Sequence, residues 1–259
     1  FLGVIMKSEI NLQDVFLDFP IYDAQSLSIR NKMRDIGNTV VTRAKKNISG
    51  SKVVHGLKNV NLNLTHGDKL AVLGSNGSGK TTLLKLIAGI YYPTSGKVSC
   101  KGELSCMLDI GFGFEQDATG YENIILSNIT RGLTKKDIDK LLPQIAEFSG
   151  LGDFLHMPLR TYSSGMQARL AFSSAIASTP GILLIDEFFS TGDIEFSERS
   201  KSKVLEMMDN SSILIFASHD MNLLKNICNK AILMKNGEIV FTGTPDEVVK
   251  FYKETYHLQ

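Results

Sequence analysis

A glycine-rich segment between an apolar run and a helical pattern constrains the fold of this chain more than any other feature. Residues 70–73 are apolar, a helical pattern begins near residue 83, and between them the chain reads Gly74-Ser75-Asn76-Gly77-Ser78-Gly79-Lys80-Thr81-Thr82. Gly74, Gly79, Lys80 and Thr81 occupy the fixed positions of the P-loop pattern. Because main-chain N–H groups turn inward in such a loop and the next helix adds its positive dipole end, the pattern predicts a phosphate-binding strand–loop–helix unit.

The residues of this loop have distinct expected roles. Every residue from Gly74 to Thr82 is a candidate nucleotide-binding residue. We expect the Lys80 ammonium to reach the β- and γ-phosphates of a nucleotide, and the Thr81 hydroxyl to ligate Mg²⁺. The alternative is an ordinary glycine-rich turn, which the strand pattern before it and the helical pattern after it disfavour.

Composition excludes several functional classes. The 259 residues include 28 basic and 27 acidic side chains, so no overall field draws the chain to nucleic acid or anionic lipid. The longest uncharged run, residues 170–185, is too short and too polar to span a bilayer, and no signal-peptide pattern opens the chain. The three cysteines lack metal-site spacing and are expected to be reduced. We therefore expect a protein without a direct membrane span that acts from the cytosolic side.

The order of patterns along the chain predicts an α/β fold. Residues 10–17 and 57–64 alternate between apolar and polar, as half-exposed strands do. Buried strands predicted near 181–185 and 212–217 are separated by helical patterns, which indicates a mostly parallel sheet covered on both faces. Residues from about 111 to 161 differ because they carry two helical patterns, of which the second is capped by Thr134 and ended by Gly150.

Two carboxylates end one of the predicted buried strands. Asp186 and Glu187 follow the apolar residues 182–185. We expect Asp186 to hold Mg²⁺ beside Thr81, and Glu187 to act as the general base that polarises an attacking water. The alternative is a pair of solvated carboxylates without a catalytic role. A third signal is the segment Tyr162-Ser163-Ser164-Gly165-Met166, which places small residues at a predicted helix start but also fits an ordinary helix cap.

The joint order of these motifs resembles the ATP-binding cassette ATPases over nearly the whole chain. The resemblance implies a P-loop NTPase core of about residues 1–110 and 162–259, an antiparallel β subdomain and a helical subdomain of about 111–161, in one nucleotide-binding domain. In that family the Ser-Gly signature of one subunit contacts the γ-phosphate held by the P-loop of its partner. That role would fall to Ser163, Ser164 and Gly165, whereas the family's usual signature is Leu-Ser-Gly-Gly-Gln.

Further roles follow only from the resemblance. Asp193 is similar to the aspartate that crosses the dimer, and His219 to the switch histidine that senses the γ-phosphate. Adenine usually stacks on an aromatic residue after the first strand, so we expect Phe19, or else Tyr22, to bind it, with core packing as the alternative for Phe19. The family's glutamine at the start of the helical subdomain is missing, and its role is left open among Asp109, Ile110 and Gln116.

A narrower resemblance concerns the ATPase subunits of bacterial polysaccharide exporters. It depends on Asp18-Phe19-Pro20-Ile21-Tyr22, on Gly111-Phe112-Gly113-Phe114 before Thr119-Gly120-Tyr121-Glu122-Asn123, and on residues 162–166. The implied protein is a homodimer with ATP at its interface that drives a separate transmembrane permease from the cytoplasmic face of the bacterial inner membrane. Its cargo would be a lipid-linked O-antigen, capsule or teichoic acid. A basic helical pattern at 26–36 either covers the domain surface or meets the membrane or a partner.

Two alternatives to this function remain. One is a cassette ATPase of another transporter, with a drug or small lipid as its cargo. The other is a soluble cassette ATPase that acts on DNA or ribosomes. Such proteins usually carry long coiled-coil insertions or two cassettes in one chain, whereas this sequence has one P-loop and a short helical segment, which favours the transporter.

Overall fold

A computed structural model of the chain describes residues 8–20, 53–107, 113–177, 180–186 and 194–256. The nine strands in these ranges are β1 (Glu9–Pro20), β2 (Val53–Thr65), β3 (Lys69–Leu73), β4 (Ser95–Lys101), β5 (Leu104–Met107), β6 (Ile182–Asp186), β7 (Ile213–Ala217), β8 (Lys230–Lys235) and β9 (Glu238–Gly243). The α-helices in the same ranges are α1 (Lys80–Ile87), α2 (Gly120–Thr130), α3 (Lys135–Ser149), α4 (Ser164–Ala175), α5 (Ile194–Asn210), α6 (Met221–Ile227) and α7 (Pro245–Tyr256). The helical pattern predicted at 26–36 lies outside the described residues.

The larger sheet has the strand order β5-β6-β7-β3-β8-β9, and only β9 runs antiparallel to its neighbour. Its inner strands have buried apolar side chains at their central positions on both faces, because both faces are covered. In β3, Leu70 and Val72 pack into one core cluster, whereas Ala71 and Leu73 pack into a second on the opposite face. The predicted α/β fold with a mostly parallel sheet is confirmed. Because the strands are parallel, the carboxyl ends of β3, β6 and β7 meet at one edge.

The smaller sheet has the order β2-β1-β4 and is antiparallel. Its apolar face, which includes Ile10, Leu12 and Leu57, packs into the same core cluster as Leu70 and Val72. This arrangement confirms the antiparallel β subdomain. It also explains why apolar and polar residues alternate along β1 and β2, because the other face of these strands is exposed to solvent. Both strands extend beyond the predicted ranges, because main-chain pairing continues as far as Pro20 opposite Val53.

Residues 113–162 form a helical unit with its own apolar cluster, which includes Ile124, Ile145 and Leu155. The Thr119 hydroxyl accepts a hydrogen bond from the Glu122 N–H and caps α2. Thr134 caps α3 in the same way, and the helix ends at Gly150 in the left-handed conformation, as predicted. Two 3₁₀ helices, Gly152–His156 and Leu159–Thr161, then lead into α4. The boundaries of this subdomain remain a prediction, because residues 108–112 are not described.

Among the described residues, no helix is both long enough and apolar enough to cross a bilayer.

Tyr162 links α4 to the helical unit. Its side chain is buried, and its hydroxyl donates a hydrogen bond of 2.5 Å to the Phe154 carbonyl. Burial raises the pKa of Tyr162, so the phenol stays protonated and remains a donor. A Cβ atom at Gly120 would lie 2.3 Å from this hydroxyl oxygen and 3.0 Å from the Leu155 Cα. A glycine at position 120 is therefore required for the approach of the tyrosine.

We predict that Gly120→Ala lowers the free energy of unfolding by about 1–3 kcal/mol, because the added methyl group overpacks this contact. Tyr162→Phe alone should cost about 0.5–1.5 kcal/mol through the lost hydrogen bond. Since Tyr162→Phe also removes the atom that clashes, the double variant should lose less than the sum of the two costs. Urea unfolding of the three variants measures this coupling, and strictly additive costs would contradict the proposed contact.

Candidate functional site

The predicted phosphate loop runs from the carboxyl end of β3 to the start of α1. Gly74, Gly77 and Gly79 have φ angles of 151°, 77° and 108°, which side chains other than glycine rarely adopt. A Cβ atom at Gly74 would lie 2.4 Å from the Ser78 hydroxyl oxygen, so the loop is tightly packed at Gly74. A Cβ atom at Gly77 would have no neighbour within 4 Å. The glycines therefore permit a tight curl of backbone whose outer side is accessible.

Lys80 lies inside this curl. Its side chain is buried, and its ammonium donates hydrogen bonds of 2.8 Å to the Gly74 carbonyl and 3.3 Å to the Ser75 carbonyl. A buried ammonium is stable only when its charge is compensated, and two carbonyl dipoles compensate it in part. The geometry leaves the cation available to phosphate oxygens, which form stronger, charge-assisted hydrogen bonds.

Thr81 and Asp186 meet at the edge of the sheet. The Thr81 hydroxyl on α1 donates a 2.5 Å hydrogen bond to the Asp186 carboxylate, which ends β6. The two residues are 105 positions apart in the sequence, and the parallel arrangement of β3 and β6 brings them together. A hydroxyl and a carboxylate oxygen at this distance are ligands that Mg²⁺ prefers.

The loop, Thr81 and Asp186 line one open cleft of about 720 Å³. Phe19, at the end of β1, lies at its wall and packs edge-on against Tyr91, with 5.3 Å between ring centroids. Phe19 is half-buried and also touches the main core cluster, so both sequence-based alternatives for this residue have a basis in the structure. Its part in base binding stays a prediction.

Six cleft residues were missed by sequence reasoning. They come from β2 and from the turn between β8 and β9: Val54, His55, Gly56, Lys58, Asn236 and Gly237. Asn-Gly is a typical two-residue hairpin turn, and Asn236-Gly237 joins the antiparallel strands β8 and β9, but no pattern in the sequence connects that hairpin with the P-loop. The His55 Nδ1 atom forms a hydrogen bond of 2.7 Å with the Asp18 carboxylate, and the Lys58 ammonium lies 3.7 Å from the Glu238 carboxylate. Both polar side chains are therefore oriented by neighbours.

The hairpin turn also supports the phosphate loop. The Gly237 N–H donates a 2.9 Å hydrogen bond to the Ser78 carbonyl, and the Gly237 carbonyl accepts one of 2.8 Å from the Lys58 N–H. Gly237 has a φ of 82°, and a Cβ atom there would lie 2.7 Å from the Gly56 carbonyl oxygen. The turn thus connects β2 with the loop at a position where only glycine fits.

These features fit a nucleoside triphosphate and Mg²⁺. A glycine curl of this kind can turn main-chain N–H groups toward phosphates. The buried Ser78 hydroxyl has no hydrogen-bond partner among the described residues. Lys80 supplies a positive charge, and Thr81 with Asp186 supplies oxygen ligands. The donor set of the cleft therefore matches a phosphate chain with a hard cation.

The predicted signature residues lie apart from this cleft. Ser163, Ser164 and Gly165 are exposed at the start of α4, where the Ser163 hydroxyl accepts a hydrogen bond from the Met166 N–H. They are not among the cleft-lining residues of the same chain. His219 is exposed two residues beyond β7, whose last residue Ala217 pairs with Asp186.

Several predicted site residues lie outside the described residues, and their roles stay predictions: Tyr22, Asp109, Ile110, Glu187 and Asp193. Gln116, the remaining candidate for the missing glutamine, is exposed, and its main-chain carbonyl accepts a hydrogen bond from the Arg160 N–H. This contact does not assign it a metal-binding role.

Sequence comparison identifies related proteins with named functions. The chain is 38% identical over 231 residues to the O-antigen export system ATP-binding protein RfbE of Yersinia enterocolitica, which covers 88% of this chain and 94% of that protein. It is 38% identical to the corresponding protein RfbB of Myxococcus xanthus, over 83% of this chain and 49% of that protein. It is 36% identical to the teichoic acids export ATP-binding protein TagH of Shouchella clausii, over 77% of this chain and 55% of that protein. The chain thus spans about half the length of the second and third relatives.

Solved structures with the same fold are more distant in sequence. The dimeric, post-hydrolysis structure of the ATP-binding cassette MJ0796 bound to ADP and Pi superposes with a TM-score of 0.64 at 20% identity, over 91% of this chain and 98% of that one. An ATP-binding subunit of an ABC transporter gives the same TM-score and identity, over 96% of this chain and 93% of that one. The family model for the ABC transporter matches residues 57–190. With the phosphate loop, the Thr81–Asp186 pair and the relatives taken together, the chain belongs to the ABC transporter family as one of its ATP-binding, ATP-hydrolysing cassettes.

Proposed function

We propose that this chain is the ATP-hydrolysing subunit of a bacterial exporter that moves a lipid-linked polysaccharide through a separate transmembrane permease. The single observation that carries the ATPase assignment is the cleft in which the glycine curl, Lys80 and the Thr81–Asp186 pair converge. The cargo class is supported by relatives that are named for O-antigen and teichoic acid export. On this proposal the protein works at the cytoplasmic face of the inner membrane, bound to its permease.

In the proposed complex ATP lies along the cleft. The phosphate chain contacts main-chain N–H groups of the loop within residues 74–82, and Lys80 moves from the loop carbonyls to the β- and γ-phosphates. Phe19 stacks against adenine at the outer wall. Thr81 and Asp186 would hold Mg²⁺, which would neutralise charge on the phosphate oxygens during hydrolysis. His55, Lys58 and Asn236 also line the cleft.

Hydrolysis on this proposal requires a base next to Asp186. Glu187 is the following residue, and its carboxylate accepts a proton from the attacking water. The water oxygen bonds to the γ-phosphorus while the bond to the bridging oxygen of ADP breaks, which gives ADP and phosphate. His219 follows β7, the strand beside β6, and is proposed to contact the γ-phosphate from that side.

The proposed active unit is a dimer with two ATP molecules at its interface. Ser163, Ser164 and Gly165 are exposed and lie outside the cleft of their own chain, as residues that close on a partner's nucleotide must be. The N–H groups at the start of α4 suit a phosphate oxygen. Asp193 is proposed to cross the same interface. Permease binding is proposed for the helical subdomain of about 111–161.

We predict that Lys80→Ala weakens ATP binding and ends turnover, because the cation that compensates the β- and γ-phosphates is lost. Isothermal titration and phosphate release measure the two effects. Lys85→Ala is the matched control, since Lys85 lies five residues further along α1 and is not among the cleft-lining residues. Unchanged hydrolysis in Lys80→Ala would contradict the assignment of the phosphate loop.

We predict that Glu187→Gln lowers turnover by about 10²–10⁴, the usual effect of a lost general base, and leaves ATP affinity nearly unchanged. Unhydrolysed ATP should then hold two chains together, so this variant should elute as a dimer with Mg-ATP and as a monomer without nucleotide. Adding Ser163→Arg should abolish the dimer, whereas Ser99→Arg on the exposed face of β4 should not. Hydrolysis at the parent rate in Glu187→Gln would show that Glu187 is not the base.

A further inference from the structure

Arg169 on α4 contacts the ends of two other helices. Its Nε donates a 3.0 Å hydrogen bond to the Ser149 carbonyl, at the last residue of α3. Its guanidinium carbon lies 4.9 Å from the ring centroid of Phe196, in the first turn of α5. One half-buried side chain therefore joins α3, α4 and α5.

The end of α3 is shaped to receive this guanidinium. The last carbonyls of a helix lack intrahelical partners and carry the negative end of its dipole, so a cation stabilises them. Gly150, which ends α3, has a φ of 61°, and a Cβ atom there would lie 2.5 Å from an Arg169 guanidinium nitrogen. Glycine at position 150 thus serves both the helix end and the approach of Arg169.

The Arg169 guanidinium also lies over a ring of a packed aromatic cluster. Phe196 is 1% exposed and meets Phe148 of α3 at 5.8 Å and Phe172 of α4 at 5.7 Å, both edge to face. Edge-to-face packing is a preferred aromatic geometry, and the close packing of three rings leaves Phe196 little room to shift. The position of the arginine is therefore fixed relative to all three helices.

Arg169 lies on α4 and contacts α5. Each of these two helices follows, in the sequence, a residue that is proposed to face the dimer partner. Ser163 caps α4, and Arg169 lies five residues beyond the first helical residue, about 7.5 Å along the axis. Asp193 immediately precedes α5 in the sequence, and Phe196 follows three residues later. The Arg169–Phe196 contact thus lies within two turns of the beginnings of both helices.

From this placement we infer that Arg169 is a positioning residue for ATP-driven dimerisation. It sets the direction of α4, and with it Ser163–Gly165, relative to α5. The inference rests on the proposed function, since it requires the signature to close on a partner's nucleotide. Arg169 is not among the residues that line the cleft of its own chain, so its loss should impair closure and leave ATP binding by the single chain intact.

The test uses the full chain carrying Glu187→Gln, with Arg169→Met, Arg169→Lys or Arg199→Met added. Methionine keeps an apolar stem and loses the donors, whereas lysine keeps a charge without the planar fork. Arg199 is the matched control because it stacks on Phe148 at 5.0 Å and donates to the Phe148 carbonyl, and both contacts are to α3. Sedimentation at increasing Mg-ATP gives the ATP concentration at which half of the protein is dimeric. Affinity for a fluorescent ATP analogue is measured with Ser163→Arg added, which keeps each variant monomeric.

Arg169→Met should raise the half-dimer ATP concentration at least tenfold, and Arg169→Lys by less. The affinity of the monomer for the fluorescent ATP analogue should stay within twofold of the parent value in both Arg169 variants. In Arg199→Met, the half-dimer ATP concentration and this affinity should both stay within threefold of the parent values. If Arg169→Met does not fold, Arg169→Lys carries the test with an expected shift of at least threefold. An unchanged half-dimer concentration, an equal shift in Arg199→Met, or a matching loss of monomer affinity would overturn the inference. A Glu187→Gln parent that stays monomeric with Mg-ATP would instead contradict the proposed function, and this inference with it.

Discussion

The site depends on one buried positive charge. Lys80 can lie inside the protein only because the Gly74 and Ser75 carbonyls turn toward it, and they can turn only because glycines permit the curl. Neighbouring strands hold the curl in place. It begins at β3, which lies between β7 and β8 in the centre of the larger sheet, and it is bonded to the β8–β9 turn through Gly237. The architecture around the cleft can thus be understood as support for a cation that a phosphate chain will neutralise.

The features that were predictable from sequence are local ones. The P-loop, the ends of α3 at Thr134 and Gly150, and the Asn236-Gly237 hairpin each depend on residues within a few positions of one another. The missed part of the cleft depends on long-range contacts. Lys58 and Gly237 meet across 179 positions, through main-chain atoms whose bonding is not encoded in side-chain type. The pairing of Thr81 with Asp186 was predictable because both residues follow buried strands, and parallel strands end at one edge.

The signature region illustrates how a departure from a family pattern can have a local physical cause. Tyr162 stands where the usual signature has leucine, and its hydroxyl reaches the Phe154 carbonyl in the helical unit. The larger side chain is accommodated because position 120 lacks a side chain. At the other side of α4, Arg169 and the phenylalanine cluster connect the same helix to α3 and α5. Nucleotide contacts and the orientation of α4 therefore depend on separate groups of residues.

The bond between Gly237 and Ser78 has a practical consequence for protein engineering. Exposed hairpin turns are usually tolerant places for a peptide tag, a fluorophore or a fusion partner. At Asn236-Gly237 an insertion would break the link to Ser78 and displace the wall of the nucleotide cleft, so a reporter placed there would disturb the activity that it is meant to follow. For assays of ATP hydrolysis by the isolated chain, the turn after α2 is a better attachment point because it lies outside the cleft, although it belongs to the helical subdomain proposed to bind the permease. No other part of the described structure lies within 4 Å of a Cβ built at Gly132, so a reporter there would extend into solvent.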